Sequence, residues 1–166
     1  MLMSPSARHI MRNAEKKELK YYDDGGRPGR GNCTWGIGTK AHNGPCSAAE
    51  LARVVTDTDV ERVFASRLRV AERGIDQNVT VELTQKQYDA LVSLTYNVGV
   101  RGAQPVYDLL NAGNFERAAS YIASMITARQ KRKGKYVQVT LRGLISRRQE
   151  ESAPFRKQAE TAGGTK

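Results

Sequence analysis

Glu15 stands nine residues ahead of Asp24, with Tyr22 between them and the run Thr34 to Thr39 (TWGIGT) close behind. These residue types suit the cutting of glycosidic bonds. That reaction uses two carboxyl groups, one protonated to donate to the leaving oxygen and one ionised to activate water. A carboxyl group keeps its proton near neutrality only if partly buried, whereas its partner must stay charged in a more polar setting. A helix ending near Glu15 and a turn carrying Asp24 could supply the pair, and the Thr34 hydroxyl could help hold a water molecule. Glu18 and Asp23 are further carboxylates in the same stretch.

The elements that must position these groups follow from capping and periodicity. Ser4 followed by Pro5 suits a helix start, and the first helix is expected to run to about Leu19. Residues 21–46 are rich in glycine, with β-prone patches at Tyr21, Tyr22 and Cys33 to Ile37, so turns and a small antiparallel sheet are expected there. Cys33 and Cys46 flank TWGIGT; a disulfide between them would clip the loop, and two reduced thiols are the alternative. His9 and His42 add no compact ligand spacing, so neither a metal nor a cofactor is expected.

Beyond Ser47 the chain reads as helical. Capping boxes are expected at Ser47 with Glu50, Thr58 with Glu61, and Thr84 with Gln87. Val60, Val63, Phe64, Leu68 and Ala71 recur at helical spacing, as do Tyr88, Leu91, Val92 and Thr95. Gly99 and Gly102 should end that third helix, followed by a short one over Pro105 to Asn111, another from Asn114 to Ile126, and a last one over Leu144 to Lys157. Arg129 to Lys135 (RQKRKGK) reads as a cationic loop and Thr161 to Lys166 as a frayed tail. The expected fold class is α+β and mostly helical, a single domain over residues 1–160. A small lobe (about 15–57) would hold the sheet, and a larger helical lobe (about 58–160), with the N-terminal helix packed on it, would leave a cleft between them.

At 166 residues the chain is long enough for one domain with a full core, and 39% apolar against 27% charged residues is ordinary for a globular protein. No stretch has transmembrane length, and the N-terminus lacks a signal-peptide core. The formal charge of +10 and pI near 9.9 point to a polyanionic partner: nucleic acid, anionic cell wall or acidic lipid. No nucleic-acid-binding signature is present, and apart from RQKRKGK the basic residues are dispersed, so nucleic acid is not expected.

Glu15, Tyr22 and Asp24 followed by Thr34, Gly36, Ile37 and Gly38 resemble the active-site signature of phage-type lysozymes, glycoside hydrolase family 24. Leu83 to Gly99 (LTQKQYDALVSLTYNVG), Leu110 to Ile122 (LNAGNFERAASYI) and Gly143 to Glu151 (GLISRRQEE) resemble that family's later helices. The resemblance covers nearly the whole chain. It implies a lysozyme-like fold and an endolysin (muramidase) hydrolysing the β-1,4 bond between N-acetylmuramic acid and N-acetylglucosamine in peptidoglycan, with inversion at the anomeric carbon. Glu15 would be the general acid, Asp24 would orient the water and Thr34 would assist. The nine-residue spacing favours Glu15 over Glu18, and Asp24 over Asp23.

Such a protein would be a monomer without stable membrane insertion, held in the host cytoplasm until a holin lets it reach the wall in the periplasm. Trp35, Arg147 and Arg148 are the candidates for substrate contact, against a plain packing role for Trp35 and a solvated helix face for the arginines. Lys16 stands where the family usually has glycine, and its ammonium would favour ionisation of Glu15 only if turned inward. The segment from Asp24 to Thr34 is also longer than in many members. A catalytically impaired wall-binding protein of the same fold is therefore the alternative.

Overall fold

The computed structural model describes residues 1–132 and 135–156. The chain divides into two compact units, Ser4–Val70 and a second made of Met1–Met3 with the chain from Ala71 onward.

In the Ser4–Val70 unit, α1 (Pro5–Ala14) starts as expected, with the Ser4 hydroxyl accepting from the Ala7 amide at 3.3 Å and proline in the first turn. It stops five residues short of the expected end. Glu15 already has extended backbone (φ −79°, ψ 115°), because Glu18–Asp23 forms β1 and pairs with β2 (Cys33–Gly36). The sheet is completed by β3 (Thr39–His42), in antiparallel order β1-β2-β3. Gly36 (φ 63°) and Gly38 (φ 75°) take left-handed conformations in the β2–β3 turn, which explains the spacing of the glycines in TWGIGT.

The capping box of α2 (Ala48–Leu51) forms as read, between Ser47 and Glu50. The next box does not. Thr56 and Asp59 cap α3 (Asp57–Asn78) reciprocally, with the Asp59 amide 3.1 Å from the Thr56 hydroxyl and the Thr56 amide 3.1 Å from the Asp59 carboxylate, so the helix begins earlier than Thr58 with Glu61 implied. Glu61 instead binds Arg12 at 2.5 Å, and Arg8 and Arg12 both lie over the Phe64 ring. These contacts join α1 to the first half of α3 within the Ser4–Val70 unit.

In the other unit, Thr84 and Gln87 form the expected box at the start of α4 (Gln85–Asn111). Gly99 (φ 77°, ψ 164°) leaves the helical conformation and interrupts α4 there, as expected, and a second helical stretch follows through Pro105 to Asn111, beginning earlier than expected. Its buried Leu91, Val92, Leu94, Val106 and Leu110 face a core shared with Ala118, Ala119 and Ile122 of α5 (Phe115–Ser124). The expected cationic loop is largely strand: β4 (Thr127–Arg132) pairs antiparallel with β5 (Lys135–Thr140), while residues 133–134 lie outside the described residues. The last helix, α6, spans Arg142–Ser152 and passes into a 3-10 turn over Ala153–Phe155, whose Phe155 is buried. The expected end at Lys157 and the frayed tail lie outside the described residues. Among the described residues, no helix is long and apolar enough to cross a membrane.

Candidate active site

The register of the small sheet sorts its side chains into two faces. Tyr22 lies opposite Thr34, and Thr34 opposite Lys40, and such cross-strand partners share a face. Asp24, two residues after Tyr22, turns to the same side. The Thr34 hydroxyl donates to Asp24 Oδ2 at 3.3 Å. Thr34 is buried.

The long Asp24 to Thr34 connection leaves this contact undisturbed because it closes on itself. The Asp24 amide donates to the Asn32 carbonyl at 3.0 Å, and the Gly25 amide to the Arg30 carbonyl at 3.1 Å, so the extra residues form a hairpin tip beyond the site. Asn32 returns two bonds to the Asp24 carboxylate, from its backbone amide (2.7 Å) and its side chain (3.3 Å). The Asn32 amide is the main reason the Asp24 carboxyl sits below its ordinary value of 3.8; partial desolvation opposes the shift, and the Asn32 side chain, Thr34 and the Lys40 charge reinforce it. Asp24 is thereby held as a carboxylate. Burial pushes the Tyr22 phenol above 10.0, with the Glu18 and Asp24 charges adding to the effect, so it keeps its proton.

Asp23 is occupied elsewhere. Its two oxygens accept from the amides of Gly29 (2.6 Å) and Cys46 (2.7 Å), tying the hairpin tip to the loop before α2. Cys33 and Cys46 form a disulfide, and Cys33 is fully buried. Glu15 is half-buried at the C-terminal cap of α1, in the short link to β1. Lys16 turns outward: its side chain is 87% exposed and its ammonium lies 2.9 Å from Glu18. Glu18, placed in a strand, is therefore the partner of that cation.

The remaining candidates are engaged within their own units. Trp35 pairs with Tyr21, stacks on its ring at 5.9 Å between centroids, and belongs to the sheet face opposite Thr34; the Arg53 guanidinium also lies over the Tyr21 ring. Arg147 and Arg148 are not on a solvated face. Arg148 is 1% exposed, bonded to Glu151 at 2.5 Å, to the Met125 carbonyl at 3.1 Å and to Asn97. Arg147 reaches the same carboxylate at 3.0 Å and the Ser93 carbonyl at 3.2 Å. Residue-by-residue reading passed over Asn32 and Lys40. The signal for them was the hairpin itself, which puts the residue two before Thr34 beside Asp24 and a β3 residue opposite Thr34.

A three-stranded sheet carrying Asp24 and Thr34, followed by a mostly helical remainder, defines a lysozyme-like α+β protein. The phage lysozyme family model matches residues 12–151, and the chain belongs to that family. The endolysin of Bacillus phage B103 is 32% identical over 105 residues, covering 62% of this chain, and the chain spans 37% of that relative's length. Among solved structures, the endolysin from Escherichia coli O157:H7 phage FAHEc1 superposes with a TM-score of 0.72 at 27% identity, covering 93% of each chain. The muramidase domain of SpmX from Asticaccaulis excentricus gives a TM-score of 0.71 at 25% identity, over 94% of this chain and 98% of that one.

Proposed function

We propose that this chain is an endolysin-type muramidase that hydrolyses the β-1,4 bond between N-acetylmuramic acid and N-acetylglucosamine in peptidoglycan. The observation that carries the reading is the Asp24–Thr34 pair: a carboxylate kept ionised by Asn32, with a buried hydroxyl 3.3 Å away, on one face of the sheet. Asp24 orients and deprotonates the attacking water, and the Thr34 hydroxyl fixes its position. Glu15 protonates the departing glycosidic oxygen. With water attacking the face opposite the leaving group, the product anomer is inverted. Family membership and the muramidase and endolysin names of the similar proteins support the same reaction.

The alternative, an impaired wall binder, rests on Lys16 and the long connection; the pairing of Lys16 with Glu18 and the self-closed hairpin favour the active enzyme over it. The chain acts as a monomer on the wall in the periplasm, after a holin has opened the inner membrane. The experiment is clearing of permeabilised Gram-negative cells by purified protein. Glu15→Gln should lower the rate by about 10²–10⁴-fold, the usual worth of a general acid, while melting stays near wild type. Undiminished clearing by Glu15→Gln refutes the assignment.

A further inference from the structure

On the sheet face away from Asp24 lies a second cluster of chemically able groups. Cys33 pairs across the strands with His42, and an irregularity in the β2–β3 register lets His42 face Cys33 while Lys40 faces Thr34. A ligand atom from each of Cys33, His42 and Glu50 lies within 4.8 Å of the others, and Cys46 Sγ is bonded to Cys33. Four donors from four points of the chain thus converge: two sulfurs, an imidazole and a carboxylate.

The donors are also oriented. His42 Nδ1 lies 3.0 Å from the Asn43 carbonyl, which only accepts, so Nδ1 carries hydrogen and holds the ring with Nε2 facing Glu50 Oε1 at 2.9 Å. Glu50 Oε2 is fixed by the Ser47 amide and hydroxyl, both at 2.7 Å, so Oε1, which accepts from His42 Nε2, is the oxygen turned to the cluster, and a metal would take the place of the proton between them. Histidine and carboxylate ligands steadied in this way through their other atoms are a recurrent feature of metal sites.

We propose that reduction of the Cys33–Cys46 disulfide converts this cluster into a zinc site whose ligands are Cys33 Sγ, Cys46 Sγ, His42 Nε2 and Glu50 Oε1. The step balances with a dithiol as reductant: two electrons and two protons pass to the disulfide, giving two thiols, while the dithiol becomes a disulfide. Zinc then binds and displaces both thiol protons and the proton shared by His42 and Glu50. Tetrahedral zinc with Zn–S of about 2.3 Å and Zn–N or Zn–O of about 2.0–2.2 Å needs ligand atoms roughly 3.3–3.8 Å apart; those of Cys33, His42 and Glu50 already lie within 4.8 Å of one another, and opening the S–S bond lets the two sulfurs move apart to complete the set. Two thiolates with an imidazole favour zinc over magnesium or calcium, which select oxygen ligands. The same two chain points are then joined in either redox state, by a covalent bond when oxidised and by the metal when reduced. This inference is independent of the proposed hydrolysis, because it is read by metal binding alone.

The test uses the full chain, reduced with a dithiol, desalted without oxygen and titrated with Co²⁺ as a spectroscopic probe. One equivalent should bind, giving thiolate-to-cobalt absorption in the near ultraviolet and the visible bands of a tetrahedral ion; one equivalent of Zn²⁺ should bleach both. The oxidised protein and a Cys33→Ser/Cys46→Ser variant should give neither signal. His42→Ala and Glu50→Gln, the latter keeping the helix cap, should each weaken Co²⁺ binding at least about tenfold. Melting of the reduced protein followed by circular dichroism should rise with Zn²⁺, and so distinguishes a folded site from loose thiols. Absence of thiolate absorption in the reduced protein, or spectra and affinities unchanged in both His42→Ala and Glu50→Gln, overturns the proposal.

Discussion

A methyl group added at Gly31 would test the placement of Asp24 more directly than removing the carboxylate. A Cβ built there lies 2.3 Å from Asp24 Oδ1, 2.3 Å from the Gly25 amide nitrogen and 2.8 Å from Gly25 Cα. Ordinary contact needs about 3.4 Å, so in Gly31→Ala the carboxylate must shift by about 1 Å from its place beside Thr34 and Asn32. A shift of that size in a reacting group costs about 10²-fold in rate. The backbone adds a separate burden, since φ is +87° and a left-handed alanine costs about 1–2 kcal/mol.

Gly26 isolates that second part. Its φ is +73°, but nothing lies within 4 Å of its added Cβ, so Gly26→Ala should lose the same 1–2 kcal/mol, about 2–8 °C in melting temperature, and clear cells at the wild-type rate. Initial clearing rates measured well below both melting points separate activity from folding. A Gly31→Ala protein that clears at the wild-type rate, or a Gly26→Ala protein equally impaired, would refute the argument.

Other expectations follow from the same contacts. Removing the Asn32 side chain (Asn32→Ala) takes away one donor to Asp24, so the carboxyl should rise towards 3.8 and the acidic limb of the clearing rate should move to higher pH; an unmoved limb counts against Asp24 as the group that must be ionised. Because the folded-state value is lowered, Asp24 contributes stability above its unfolded value and loses it as pH falls through the folded one. Glu151→Ala strands the buried guanidinium of Arg148 and should cost about 3–5 kcal/mol in chemical denaturation, whereas Lys16→Ala, 87% exposed, should stay within about 0.5 kcal/mol. Equal stability of these two variants would contradict the buried network. With a net charge of +10, clearing should slow as ionic strength rises past about 0.1 M, and salt-insensitive clearing would exclude charge-driven attraction to the wall.

Much of this was legible in the sequence, and the failures share a cause. The Ser4 cap and the Ser47 and Thr84 boxes are local signals that no distant partner competes with, and each forms as read. The first helix was read too long because what stops it at Ala14 is the pairing of β1 with a strand ten and more residues away. Thr56 with Asp59 outcompeted Thr58 with Glu61 because Glu61 is engaged by Arg12 across from α1. The β4–β5 hairpin hid behind its charge, since its β-prone residues, Thr127, Tyr136, Val137, Val139 and Thr140, lay outside the segment read as a loop. Arg148 looked solvated because its partner Asn97 comes from another helix altogether. Spacing alone separated Asp24 from Asp23, and the partners that distinguish the two carboxylates, Asn32 and Thr34 for one and the Gly29 and Cys46 amides for the other, are set by the folded hairpin and were not legible in the sequence.

The Asp24–Asn32 pairing makes the hairpin a loop with a neck. The tip around Arg27 and Pro28 lies past that neck, and its Gly29 amide is held by Asp23 and not by Asp24, so the length of this turn and the bonds that hold the Asp24 carboxylate are separate variables. Residues inserted between Gly26 and Pro28 should lengthen a surface projection and leave Asp24 facing Thr34.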